Sequence, residues 1–171
     1  MVIISAVAII ILLWGAIVAN HLKHLTNAIE SEWWLIYESL SKKSDLIPNL
    51  IETIRAHDQS KEELLEKLIS ERSVYNKEYF PLPSKIEKEL DLNLLLKEVV
   101  DWAENHDRLK VDTNFLEIRK EIYDLNENIE ARIKTYNNMV RYYNERRNFS
   151  LVKPIASLFK YEHMNIFETE Y

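Results

Sequence analysis

Gly15 is the sole glycine of this chain. Hairpin turns and phosphate-cradling loops depend on positive backbone dihedrals or close backbone approach, which glycine supplies. One glycine among 171 residues therefore argues against a sheet protein or a loop-based nucleotide enzyme. The expected fold class is all-α. Cysteine is absent, which removes disulfides, thiolate metal sites, a thiol nucleophile and a lipidated cysteine. The formal net charge is -6, and the nearest basic cluster, Arg141 with Arg146 and Arg147, is offset by Glu145; no nucleic-acid partner is expected.

That glycine lies in VIISAVAIIILLWGAIVA, Val2 to Ala19, an uncharged run of about 18 residues that measures roughly 27 Å as a helix, close to the thickness of a bilayer core. The run predicts an uncleaved transmembrane anchor over residues 1–20, with the lipid bilayer as its partner. No Lys or Arg precedes it, and a cut after Ala19 would leave Ile17 where a signal peptidase needs a small residue. Lys23, beside His21 and His24, flanks the exit, so the positive-inside rule leans towards an outer N-terminus and a cytoplasmic domain over residues 21–171. Gly15 and Ala19 form a small-xxx-small pair, which leaves a homo-oligomer through the anchor open.

Beyond the anchor, Leu22, Leu25, Ile29, Trp33, Ile36 and Leu40 recur at three- and four-residue steps and extend a first helix out of the membrane. In DLIPNLIET, Asp45 to Thr53, Asp45 reads as an N-cap and Pro48 as a first-turn residue. A second helix would start there and turn the chain back roughly 37 Å beyond Ala19, leaving Asn49 without a capping role. Its stripe is Ile47, Leu50, Ile51 and Ile54, then Leu64, Leu65, Leu68 and Ile69 across a polar window. Ser60 and Glu63 have capping-box spacing there, so the helix can break and restart.

YFPLPS, Tyr79 to Ser84, reads as a proline-punctuated connection. A third helix spans Lys85 to Glu104, with Ile86, Leu90, Leu94, Val99 and Trp102 or Ala103 on its buried face. A fourth starts at Asn114, paired with Glu117 as N-cap and reciprocal partner, and carries a heptad seam. The seam is Phe115, Ile118, Ile122, Leu125, Ile129, Arg132, Tyr136, Met139 and Tyr143, widened by Ile133 and Val140. Ile155 to Phe159 reads as a short terminal turn. The expected architecture is an N-terminal transmembrane helix followed by an antiparallel four-helix bundle, because each apolar stripe needs a partner to leave water.

KSDLIPNLIETI, Lys43 to Ile54, resembles the "RYDLIPNLVETV" signature of the LemA family, and NFLEIRKEI with ENIEARIKTYNNMVRYYN resembles that family's second block. LVKPIASLFKYEHMNIFE is similar to its closing segment, so the likeness runs from Leu22 to Glu168. It implies a bacterial single-pass membrane protein with a helical-bundle domain, an outer N-terminus and no known catalytic residue. The matching positions Asp45, Pro48, Asn49, Asn114, Phe115, Glu127, Asn128, Arg132, Tyr136, Asn137, Tyr143 and Asn144 are the candidate motif or interaction residues. Three departures stand out: Ser44 replaces an aromatic, Tyr37 an acid, and Leu158 to Tyr161 lack a glycine usual near the end.

A bundle di-metal centre needs a Glu-x-x-His pair on each of two helices, and none of the five histidines has a glutamate three residues before it. No metal or cofactor is expected, and His57 and His106 read as solvated. No glycine-bearing serine elbow exists, so no hydrolase is expected. Arg132 on the seam asks for a carboxylate, sought at Glu52, Glu66 or Glu71. Tyr136, Asn137, Tyr142, Tyr143 and Asn144 suit either a recognition surface or the wet end of a core. The favoured function is a membrane-anchored interaction or scaffold module with a protein partner, without enzymatic activity. The alternatives are a small-ligand binder or enzyme with a site between helices, and a lipid-organising protein.

Overall fold

The computed structural model describes residues 2–77 and 82–167. Every regular element among them is helical: α1 is Val2–His57, α2 Glu62–Lys77, α3 Leu82–Glu104, α4 Thr113–Asn148 and α5 Lys153–Leu158, with a 3-10 turn at Leu109–Val111 before α4. Among the described residues one helix, α1, is long and apolar enough to cross a membrane, and no residue of its most apolar window near the N-terminus is buried. That exposure suits a segment solvated by lipid. In the connection read at Tyr79 to Ser84, Tyr79, Phe80 and Pro81 lie outside the described residues, as do the side chains of Ile86 and Leu90; Leu82 already belongs to α3.

The chain divides into two compact units: Glu38–Asn128, and the chain up to Tyr37 together with the chain from Ile129 onward. In Glu38–Asn128, Ile47, Leu50 and Ile54 of α1 share a core with Leu65 and Leu68 of α2. Leu92, Leu96, Val99 and Ala103 of α3, Leu109, and Phe115 and Ile122 of α4 complete it. Each fully buried Leu or Ile contributes about 2 kcal/mol of transfer free energy. Within this unit α1 and α4 run antiparallel, as Thr53 meets Asn114, Lys43 meets Asn126 and Ser39 meets Asn128. In the other unit they are again antiparallel, with Glu32 meeting Arg132 and Thr26 meeting Tyr143.

The proline of DLIPNL neither starts nor ends a helix, contrary to the expectation: α1 runs through it to His57, so no turn falls at Asp45. A proline inside a helix leaves the carbonyl four residues earlier without its donor. Here that carbonyl is Ser44's, and Arg72 of α2 donates to it through Nε at 2.8 Å, while Arg72 Nη2 lies 3.5 Å from Asp45 Oδ1. The substitute donor comes from 28 residues away, which local pattern cannot reveal.

The break comes instead in the polar window, where Ser60 and Glu63 allowed one. Arg55 in the last turn of α1 pairs with Glu62 and, at 2.6 Å, with Glu66 of α2, while the Ser60 amide donates to Asp58 Oδ1 at 2.7 Å. Two further expectations shift. The cap of α4 is Asp112, whose Oδ1 accepts from the Phe115 amide at 2.8 Å, and Asn114 instead donates to Thr53 Oγ1 at 2.6 Å. Leu94 is 68% exposed, because the buried face of α3 follows Leu92, Leu95, Leu96, Val99, Val100 and Ala103. The run LNLLL offers two helical phases, and the phase continuing into Val99 and Ala103 wins.

Candidate functional site

On α4, Tyr136, Asn137, Val140, Tyr143, Asn144 and Arg147 recur at helical steps and form one face, opposite α1 in the same unit. Residues 161–167, which have no regular structure, lie against that face. Asn137 Nδ2 donates to the Phe167 carbonyl at 2.9 Å, and its Oδ1 accepts from the Phe167 amide at 2.8 Å. Asn144 repeats the pattern with Met164, at 2.7 Å and 3.1 Å. A side-chain amide carries one donor side and one acceptor side, so each asparagine imitates a neighbouring β-strand.

The register follows from two rises. Seven helical residues from Asn137 to Asn144 cover about 10.5 Å, and three extended residues from Met164 to Phe167 cover about 10 Å. The tail therefore runs antiparallel to α4. Arg147 Nε donates to the Tyr161 carbonyl at 2.6 Å, Tyr143 Oη to the Glu162 carbonyl at 2.9 Å, and Tyr161 Oη to the Ala19 carbonyl of α1 at 3.1 Å. At the other end the Phe167 ring, 8% exposed, stacks on Tyr136 with centroids 4.6 Å apart and tilts against Trp33 at 5.5 Å. Burial pushes the Tyr136 and Tyr143 phenols up from their ordinary pKa.

Of the residues singled out in the sequence, this groove gathers Tyr136, Asn137, Tyr143 and Asn144. Arg132 lies in the same unit, and its Nη1 donates to Glu32 Oε1 on α1 at 3.2 Å, a carboxylate that is not among Glu52, Glu66 and Glu71. Asp45, Pro48, Asn49, Asn114, Phe115, Glu127 and Asn128 belong elsewhere. Asn49 is exposed in mid-helix, where its carbonyl accepts from Thr53 Oγ1 at 2.8 Å; Glu127 is exposed; and Asn128 Oδ1 accepts from Ser39 at 3.2 Å. The sequence pattern does not mark Trp33, Arg147 or Phe167 as site residues. The repeated asparagine at a seven-residue interval is the one signal that could have found the groove.

The same chain holds two other polar groups. Lys43 is 1% exposed and donates to Asn93 Oδ1 at 2.9 Å and Asn126 Oδ1 at 3.2 Å. Contrary to the expectation that they are solvated, His57 and His106 are half-buried and paired. They cross-link the start of α4 and the end of α3 to the end of α1, through Asp112 at 2.9 Å and Asp58 at 3.0 Å. The Phe115 amide and then His57 hold the Asp112 carboxyl below the usual carboxylate range, and the Ser60 amide, aided by His106, does the same for Asp58. Among the described residues no three His, Asp or Glu side chains converge as a metal site would require.

The model of the LemA family matches residues 32–171. The chain belongs to the LemA family. A comparison with curated proteins gives no match. The LemA match contains α4 and residues 161–167, so the groove lies inside the part of the chain that defines the family. Val2 to Ala19 lies outside it, so its candidacy as a membrane span rests on its own length and apolar composition.

Proposed function

We propose that this LemA-family chain is a membrane-anchored protein-interaction module, not an enzyme, whose α1–α4 groove receives an extended segment of a partner. The pairing of Asn137 and Asn144 with a main chain supports this reading. Such contacts are indifferent to side-chain identity, so any extended segment satisfies them. The slot between Trp33 and Tyr136 adds selectivity for an aromatic residue. Residues 161–167 occupy the groove as a placeholder that a partner segment displaces.

The domain faces the cytoplasm of a bacterial cell in this reading. Ile155 of α5 lies beside Gly15 of the span, its Cδ1 3.5 Å from where a Cβ on that glycine would be, which brings Lys153 to the same end of the span as Lys23, and the positive-inside rule favours the cytoplasmic side for both. Proximity labelling from the full chain in living cells tests the function. The wild type should label a partner set missing from a bare anchor, and the double variant Asn137→Ala, Asn144→Ala should lose part of it. A wild-type set equal to that of the bare anchor would refute the proposal.

A further inference from the structure

Between the end of α4 and residue 161 the chain makes a compact excursion that the groove does not use. Four large apolar side chains there face outward: Phe149 is 57% exposed, Leu151 61%, Leu158 75% and Phe159 56%. Packing does not account for them, since the inward residue of α5 is Ala156, 1% exposed, with Ile155 beside it. Four such residues on so short a segment would be costly in water.

The position of the excursion names what covers it. Ile155 Cδ1 would lie 3.5 Å from a Cβ placed on Gly15, and Tyr161 Oη reaches the Ala19 carbonyl. Both partners belong to the last turn and a half of the apolar span, and Gly15 lies about 6 Å deeper along the helix than Ala19. With the span in a bilayer, α5 sits at the depth of the headgroups and the first acyl carbons.

Two further properties suit that depth. From Arg146 to Tyr161 the sequence holds Arg146, Arg147, Lys153 and Lys160 and no acid, a charge balance that anionic headgroups favour. Much of the excursion's main chain also donates within the excursion. Val152 and Lys153 donate to the Phe149 carbonyl at 2.8 Å each, Ile155 and Ala156 to Val152 at 3.0 Å each, and Phe159 to Ile155 at 3.0 Å. Lys160 and Tyr161 close the end through Ser157 at 3.2 Å and Ala156 at 2.9 Å. A loop that keeps most of its amides paired loses less when water is withdrawn.

We infer that the segment from Phe149 to Lys160 is a second membrane contact, lying in the lipid surface beside the exit of the span with Phe149, Leu151, Leu158 and Phe159 in the acyl boundary. The inference rests on the anchor reading of Val2 to Ala19. Its consequence is a two-point attachment that fixes the tilt of α1 at the membrane, which a lone span leaves free.

The chain has no cysteine, so single-cysteine variants of the full protein can carry a polarity-sensitive dye. Leu13→Cys, Leu158→Cys and Lys134→Cys would be reconstituted in vesicles of mixed zwitterionic and anionic phospholipid and quenched with nitroxide lipids or aqueous iodide. The expected result is a blue-shifted Leu158 dye that lipid quenches and iodide does not, between a deeper Leu13 dye and a Lys134 dye open to iodide. A Leu158 dye that behaves like the Lys134 dye, while the Leu13 dye is lipid-quenched, overturns the inference and leaves the anchor standing. A Leu13 dye that lipid fails to quench overturns the anchor itself. A Leu158 dye shielded from both quenchers would show that protein covers this face, which also overturns the inference.

Discussion

Arg72 hydrogen-bonds the main-chain carbonyl of Ser44 at 2.8 Å, the carbonyl that Pro48 strips of its helical donor. Residue 48 and residue 72 are therefore one device: the proline exposes an acceptor on α1, and α2 docks on it with a guanidinium. Arg72→Met should lower unfolding free energy by about 1 to 3 kcal/mol, the cost of an unpaired acceptor. In a Pro48→Ala background the alanine amide recovers the carbonyl, and the same change should cost measurably less. Chemical denaturation of the four proteins checks this cycle; additive effects would show that the two residues are independent.

Asn144→Asp keeps the acceptor for the Met164 amide but sets a carboxylate against the Met164 carbonyl. Release of residues 161–167 should follow, at a cost of about 1 to 3 kcal/mol. Hydrogen exchange at the Met164 and Phe167 amides reads this directly: both should lose protection together, because one register holds both asparagines. Unchanged exchange at Phe167 would mean that the two clamps act separately.

Lys160 holds φ at 55° and closes α5 with a Schellman pair, its own amide bonding Ser157 and the Tyr161 amide bonding Ala156. A side chain in this left-handed region costs about 1 to 2 kcal/mol. Lys160→Gly should raise the melting temperature and Lys160→Val should lower it, as thermal unfolding would report. This position accounts for one departure noted in the sequence, the missing glycine between Leu158 and Tyr161: the conformation glycine favours persists without it.

Acid should loosen the cross-links at the end of α1. Asp58 and Asp112 have folded pKa values below their unfolded ones, through the Ser60 and Phe115 amides respectively and then through His106 and His57. A depressed carboxylate stabilises the fold above its unfolded pKa of about 3.9 and loses that contribution as pH falls through the folded value. The stability of the wild type should therefore fall between about pH 5 and the folded values. Asp112→Asn should flatten that fall while keeping a competent cap. A pH series of denaturant midpoints measures it, and identical slopes for the two proteins would contradict the assignment.

The helices themselves were legible because their signal is periodic. Of the stripe, Leu22, Ile29, Ile36 and Leu40 are buried and Leu25 and Trp33 half-buried; of the seam, Phe115, Ile118, Ile122, Ile129, Tyr136 and Tyr143 are buried and Leu125, Arg132 and Met139 half-buried. Pro48 misled because a proline's local meaning is to start or stop a helix, and the residue that overrules it is remote. Asn114 misled because Asp112, two residues earlier, had an equal claim to the cap. The groove was half legible: Tyr136, Asn137, Tyr143 and Asn144 stood out, but residues 161–167 follow no period, and only the fold sets them opposite α4.

The make-up of the two units has a bearing on the order in which the protein comes into being. Glu38–Asn128 is contiguous, so once Asn128 leaves the ribosome that unit has all of its residues and can fold. The other unit takes its first strip from residues made long before and waits for α4 to finish and for Phe167 to arrive. During that interval Trp33 and Tyr136 have no ring between them. The nascent protein thus passes through a stage, set by the pace of translation, in which the space that Phe167 later fills between those two rings stands open.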